Sequence, residues 1–372
     1  MATGKIKKMF PGGNTIYGFY SFFDYIVDPD ATRVFIIKGG PGTGKSTFMK
    51  AIGQVLVNEG LDIEYHYCSS DSESLDGLAV PELKLGIMDG TAPHVNDPKT
   101  PGAIDEIINL GDYWKTENII RSKNEIININ KTVKKLFGLV YLSLKQANAI
   151  RDELESYYID VMNFNEVNRV TNEISEELFG GVKPQYRHKP RERHLYAFAI
   201  TPEGVVNHID TLLSDVEKLY LISGGPGTGK ATLIGKIANR AKEIGLDTEV
   251  YHSGFDPKEV DLVIIPSIKA AVLNNTKPRN LDSVLLENKS VKEIDLTEFA
   301  NKSQFDSYER DFMSADRRFW SAFNRAIKYL RTIKQKRKPL EAAYIRSMDF
   351  KAIDKKRDEL IEKILSYKKS FK

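Results

Sequence analysis

Apolar and polar positions along the chain follow one plan twice. An apolar run at Val34 to Ile37 leads into GGPGTGKST (39–47), and another at Leu219 to Ile222 leads into GGPGTGKAT (224–232). Each glycine-rich stretch is followed by a helix-forming segment, FMKAIGQVLVNEG (48–60) or LIGKIANRAKEIG (233–245). Both segments end on a Gly suited to a helix C-cap. A short strand comes next (DIEYHY, DTEVYH). Two more apolar runs follow it, around GLAVPEL and KLGIMDG in the first copy and DLVIIP and KAAVLNN in the second. Strands alternating with helices predict an α/β fold with a mostly parallel sheet flanked by helices. After that the period changes. Residues 113–180 and 305–370 hold few Gly or Pro and carry apolar residues at helical spacing, which predicts a long helical hairpin appended to each sheet.

The two copies align over nearly the whole chain. Lys45 and Lys230 are 185 residues apart, and at that offset Asp62, Glu64, Asp71, Asp76, Pro81, Lys84 and Thr91 meet identical residues. One inserted residue makes the offset 186 further on, where Phe137, Leu144, Leu154, Tyr158, Ile159, Met162 and Phe164 also meet identical residues. A duplication is the direct reading. It predicts two tandem domains, 1–185 and 186–372, with helical parts at about 113–180 and 305–370. They join near KPQYRHKPRERH (183–194), a Pro-rich and basic stretch of the kind that connects domains.

Composition narrows the class. The chain has 372 residues, 28% charged and 41% hydrophobic, with a net charge of +3, which implies no global attraction to nucleic acid or membrane. The single cysteine, Cys68, rules out an intramolecular disulfide. The first residues carry no apolar stretch of a secretory signal, and no window is long and apolar enough to span a membrane. A cytoplasmic, soluble protein is expected.

GxxxxGK[ST] between a strand and a helix is the Walker A pattern. Its glycines let backbone N–H groups turn inward onto phosphates, and the helix N-terminus adds its dipole. The nucleotide-binding candidates of the first copy are Gly39, Gly40, Pro41, Gly42, Thr43, Gly44, Lys45, Ser46 and Thr47. Those of the second are Gly224, Gly225, Pro226, Gly227, Thr228, Gly229, Lys230, Ala231 and Thr232. Lys45 would reach the β- and γ-phosphates of ATP and the Ser46 hydroxyl would ligate Mg²⁺. An acidic partner for the metal is expected at the end of an apolar strand, where LGIMD places Asp89; Asp71 and Asp76 are the rival carboxylates. The catalytic candidates are therefore Lys45, Asp89 and Asp71, the last as general base or water-positioning group. The metal candidates are Ser46 and Asp89.

The second copy lacks both metal candidates. Ser46 falls opposite Ala231 and Asp89 opposite Asn274, while Asp71 and Asp76 recur as Asp256 and Asp261. The expectation is a first domain equipped for Mg²⁺ and a second that mainly binds nucleotide, unless Thr232 or a water replaces the lost hydroxyl.

Weaker signals surround these. His66, Cys68 and Asp71, matched by His252, Ser253 and Asp256, sit at strand ends, where ordinary polar residues are commoner than a metal site. The Pro-rich stretch 89–102 is expected to be a loop after Asp89, placed to cover or sense the γ-phosphate; a plain surface loop is the alternative. Residues 301–372 carry 20 Lys and Arg against 10 Asp and Glu. With Phe319 and Trp320 beside Arg317 and Arg318, these C-terminal helices could meet a protein or nucleic-acid partner, although solvated helix faces are the commoner cause of such a run.

The residues HYCSSDSESLDG, PELKLGIMDGTAPH, NDPKTPG and NLGDYW, with the second glycine loop far downstream, resemble a bacterial family of tandem, duplicated P-loop ATPase-like proteins. The resemblance covers essentially the full length. It implies a P-loop NTPase fold and ATP binding, and it brings no established substrate. Ala231 departs from the Walker pattern and puts Mg²⁺-dependent hydrolysis in the second half in doubt. An ATPase is the leading expectation. A small-molecule or nucleotide kinase and a non-enzymatic nucleotide-dependent switch are the alternatives, since fold alone separates none of them.

Overall fold

The computed structural model describes residues 3–91, 96–185, 189–276 and 286–370. Parts of the loop after Asp89 (92–95), of its counterpart in the second copy (277–285) and of the connector (186–188) lie outside the described residues. The first copy contains β1 (Ile6–Met9), the hairpin β2 (Gly12–Thr15) and β3 (Gly18–Ser21), β4 (Arg33–Lys38) and α1 (Lys45–Asn58). It continues with β5 (Ile63–Cys68), β6 (Asp71–Val80), β7 (Leu85–Asp89) and β8 (Asp105–Asn109). Its helical part is α2 (Thr116–Arg121), α3 (Lys123–Ile159) and α4 (Phe164–Phe179).

The second copy repeats this order. It has β9 (Glu192–Leu195), the hairpin β10 (Phe198–Thr201) and β11 (Gly204–Asn207), α5 (Ile209–Leu212), β12 (Lys218–Ser223) and α6 (Lys230–Glu243). Then come β13 (Thr248–His252), β14 (Val260–Ile265), β15 (Ala270–Asn274) and β16 (Ser290–Asp295). Its helices are α7 (Lys302–Asp306), α8 (Glu309–Ile345) and α9 (Phe350–Ser370).

Each copy forms a six-stranded sheet, in the orders β1-β5-β6-β7-β4-β8 and β9-β13-β14-β15-β12-β16. Both sheets are mixed. β6 runs antiparallel to both β5 and β7, as β14 does to β13 and β15, and the remaining neighbours are parallel. The connections explain the reversal. Only Ser69 and Ser70 separate β5 from β6, and a single 3₁₀ turn at Pro81–Leu83 leads from β6 towards β7. Links that short close antiparallel pairs, because a parallel return needs a crossover of a dozen residues or more.

The later part of each helical segment does not stay with the sheet of its own copy. The chain divides into two compact units whose boundaries fall inside the two 37-residue helices, α3 and α8. One unit comprises 1–11, 22–138 and 329–372, and the other 12–21 and 139–328. In the first, the buried face of α9 (Ile353, Leu360 and Ile364) packs with Phe48, Met49, Ile52 and Leu56 of α1 and the apolar face of the first sheet. In the second, Val167, Val170, Ile174 and Leu178 of α4 pack with Leu233, Ile234 and Ile237 of α6. For the helices the exchange is reciprocal, whereas the β2–β3 hairpin joins the second unit while β10 and β11 remain there too. Hairpin periodicity announced these helices, but an apolar stripe carries no label saying which of two similar sheets it covers.

Candidate functional site

In the first unit the glycine loop links β4, a central strand, to α1. The Thr43 hydroxyl, fully buried, donates to the Gly40 carbonyl at 2.8 Å and closes the loop on itself. Lys45 Nζ folds back and donates to the carbonyls of Gly39 (2.8 Å) and Gly40 (2.9 Å), with Asp89 Oδ2 at 3.5 Å. Asp89 ends β7, the parallel neighbour of β4, so the strand order itself brings this carboxylate beside the loop. Thr91 fixes the turn that follows: its N–H donates to Asp89 Oδ1 at 2.8 Å and its hydroxyl to the Gly39 carbonyl at 2.8 Å. Ser46 Oγ accepts the N–H of Leu75 at 3.0 Å, which holds the start of α1 against β6. Thr47 is exposed on the outer face of the helix.

That contact with β6 brings in a second carboxylate. One position beyond the Gly77–Met88 pair, Asp76 and Asp89 occupy facing positions on β6 and β7. Asp76 is buried, and burial together with the negative charge of Asp89 pushes its carboxyl up to about 8. Lys45 and Arg337 act in the opposite sense. Burial also raises Asp89, against the pull of Lys45 and the Thr91 hydrogen bonds.

Asp71 behaves differently. Burial opposes its charge, but the Ser74 hydroxyl donating at 2.6 Å and the Lys334 ammonium at 3.1 Å hold its carboxyl below the ordinary range. It is therefore a weak base, already engaged by a cation.

The second unit has the same scaffold with different chemistry. Thr228 donates to the Gly225 carbonyl at 2.9 Å, and Lys230 Nζ folds back onto that carbonyl and the Thr228 hydroxyl. Beyond the Leu262–Leu273 pair, Asp261 faces Asn274, and Asn274 Nδ2 donates to Asp261 Oδ1 at 3.0 Å. A hydrogen-bonded amide and carboxylate stand where the first unit has two carboxylates that repel. Thr276 keeps its turn, donating through N–H to Asn274 Oδ1 and through its hydroxyl to Gly224, each at 3.3 Å. Ala231 has no oxygen to offer. Thr232 keeps its hydroxyl, is exposed, and borders the cavity described below.

Each loop is braced by a long helix that begins in the other copy. The Tyr344 ring lies against Gly40, where an added Cβ would meet a ring carbon at 2.6 Å; Tyr158 stands in the same relation to Gly225, at 2.2 Å. Gly42 and Gly227 have φ of +76° and +79°, and a Cβ there would meet the carbonyl oxygens of Glu341 and Glu155 at 2.7 and 2.6 Å. Only glycine satisfies both the left-handed backbone and the close approach. The glycine-loop pattern by itself does not mark these bracing residues, nor Arg337 near the first loop and Arg151 near the second. The signal was present, since Arg151, Glu155 and Tyr158 recur 186 residues on as Arg337, Glu341 and Tyr344.

A cavity of about 710 Å³ opens beside the second loop. Pro226, Gly227, Gly229, Lys230, Ala231 and Thr232 form one part of its wall, and much of the rest is aromatic. Phe319 and Trp320, considered above for a nucleic-acid surface, line this cavity, with Phe255, Phe319 and Phe323 in mutual ring contact. Several basic side chains of the C-terminal helices are engaged by carboxylates, some of them outside 301–372. Lys334 pairs with Asp71, Lys363 with Glu106, Arg318 with Glu153, and Arg357 with Asp354 and Asp358.

Among the described residues no group of three or more His, Cys, Asp or Glu side chains gathers as a metal site. His66 and Cys68 are buried in the first sheet, and burial pushes the Cys68 thiol well up. A magnesium ion that shares its shell with phosphates and water needs only one or two protein oxygens. Ser46, Asp89 and Asp76 fit that demand, because a buried carboxylate pair that favours a proton also favours a divalent cation in its place. Ala231, Asn274 and the hydrogen-bonded Asp261 do not fit it.

Among known protein families, curated proteins and solved structures, none matches the chain. No described helix is long and apolar enough to cross a membrane.

Proposed function

We propose that the chain binds ATP at 39–47 and hydrolyses it with Mg²⁺ there, while the loop at 224–232 holds phosphate without metal-dependent turnover. The observation that carries this reading is the contrast between the facing pairs, Asp76 with Asp89 and Asp261 with Asn274. Loop N–H groups at the start of α1 would hold the phosphate oxygens. Lys45 would exchange its two loop carbonyls for phosphate oxygens, at little reorganisation, since its ammonium already lies over the loop. Ser46 and Asp89, with Asp76 beside them, would hold Mg²⁺. When bound, the ion supplies neutralisation of the charge that builds on the β- and γ-phosphate oxygens. Asp71, kept ionised by Lys334, suits the positioning of a water better than the removal of its proton.

Phosphate release by the full chain tests the asymmetry. Lys45→Ala is expected to lower turnover by about a hundredfold or more, the cost of removing a preorganised charge-stabilising donor. Lys230→Ala is expected to retain a substantial fraction of it. Equal losses would reject the asymmetric reading, and no ATP-dependent phosphate release by the unaltered chain would reject the activity itself.

A further inference from the structure

The cavity beside the second loop has a composition that a nucleotide–metal complex does not explain. One end offers phosphate chemistry: the loop 226–232, the start of the 14-residue helix α6, and the buried Lys230. The rest of the wall carries Phe198, Ile200, Phe255, Phe319, Trp320 and Phe323. The ionic side chains of the lining are two cations, Arg151 and Lys230, against three carboxylates, Glu155, Glu259 and Asp316. Arg151 is already bound to two of those carboxylates, Glu155 at 2.8 Å and Glu259. A triphosphate without its metal would bring about four negative charges into this surplus of carboxylates. A monoester brings at most two, and Lys230 with the loop N–H groups suffices for it.

Part of the apolar wall is particular to the second copy, although Phe323 recurs as Phe137 and Phe319 meets the smaller Val133. At the positions of Phe198, Phe255 and Trp320 the first copy has Gly12, Ser70 and Lys134. The same copy that replaced its metal ligands by Ala231 and Asn274 thus carries bulky rings where the other has small or polar residues. The strands agree with this difference. β6 has ten residues and begins one tight turn after β5, whereas β14 has six. The longer connection before β14 carries Phe255 to the cavity wall.

We propose that this cavity binds a phosphate monoester whose body is apolar, an aromatic ring or a branched hydrocarbon, and binds it without a divalent cation. The inference rests on the reading of 224–232 as a phosphate cradle and names the ligand class of that site. The loop and Lys230 take the phosphate, and the rings of Phe319 and Trp320 cover the body. Binding of such a body buries apolar surface against a preformed wall, so affinity grows with the body and not with the number of phosphates.

Calorimetric titration of the full chain carrying Lys45→Ala, in EDTA, tests this with 1-naphthyl phosphate, 1-naphthol, inorganic phosphate, AMP and ATP. The expected result is that 1-naphthyl phosphate binds at least tenfold more tightly than each of the others, with no change on replacing EDTA by Mg²⁺. Phe319→Ala should weaken 1-naphthyl phosphate at least threefold and leave inorganic phosphate unchanged. Lys230→Ala should reduce 1-naphthyl phosphate to the affinity of 1-naphthol; should that variant not fold, the Phe319→Ala comparison decides. If 1-naphthyl phosphate binds no better than inorganic phosphate, the apolar ligand class is overturned while the cradle stands. If it binds no better than 1-naphthol, the cradle reading fails and the proposal fails with it. Tighter binding of AMP or ATP overturns the proposal in favour of a nucleotide.

Discussion

A single atom exchange, carboxylate oxygen for amide nitrogen, separates the two facing pairs. Asp76 holds its proton more tightly in the folded chain than in the unfolded one, because it is buried opposite Asp89. Its contribution to stability is complete below the unfolded value of 3.8 and is lost as pH rises through about 8. In EDTA the unfolding free energy is therefore expected to fall between pH 5 and pH 8, by up to about 1.4 kcal/mol per pH unit, read as a falling melting temperature. Asp89→Asn recreates the arrangement of Asn274 with Asp261 and removes the charge that faces Asp76. The variant should show a smaller drop across the same range and lose turnover by roughly a hundredfold. Equal drops in the two proteins would reject the facing-carboxylate account. The sequence alignment set Asp89 against Asn274 and Asp76 against Asp261 but left them as separate comparisons. Their pairing depends on the antiparallel register of β6 and β7, which spacing along the chain does not reveal.

At the scale of elements, α9 acts as a structural part of a core built by residues about three hundred positions earlier. Ile364 is fully buried and packs with the α1 side of the first sheet. Ile364→Ala should cost about 2–5 kcal/mol, read as a lower denaturant midpoint for the unit that contains it. Lys351→Ala, on the exposed face of the same helix, should change it by less than about 0.5 kcal/mol. If the two variants matched, the α9 packing would be refuted. Existence and type of α1, α6 and the long helices were legible because apolar positions at helical spacing mark a buried face in any context. Strand direction was not, since an apolar run reads the same from either end; the two-residue link Ser69–Ser70 held the information.

At the scale of the whole molecule, repeat boundaries and folding boundaries differ. A chain cut at 185 leaves 1–185 without α9 and 186–372 without α4, so each piece exposes the apolar face of the helix after its loop. Expressed alone, each piece should bind a hydrophobic dye and melt without cooperativity; expressed together, they should recover a soluble complex. A 1–185 piece that melts like the full chain would reject the exchange. The duplication was legible at once, but the exchange was not, because both copies offer apolar faces at the same helical positions to either pair of helices. The reciprocal bracing of Gly40 by Tyr344 and Gly225 by Tyr158 also bears on ancestry. A half-length forebear with this exchange completes its loop only by lending a helix to a second copy and borrowing one back. In such a symmetric pair every mutation is inherited by both sites at once. Joining the two copies into one polypeptide removes that constraint, and it is what permits Ala231 and Asn274 at one site while Ser46 and Asp89 persist at the other.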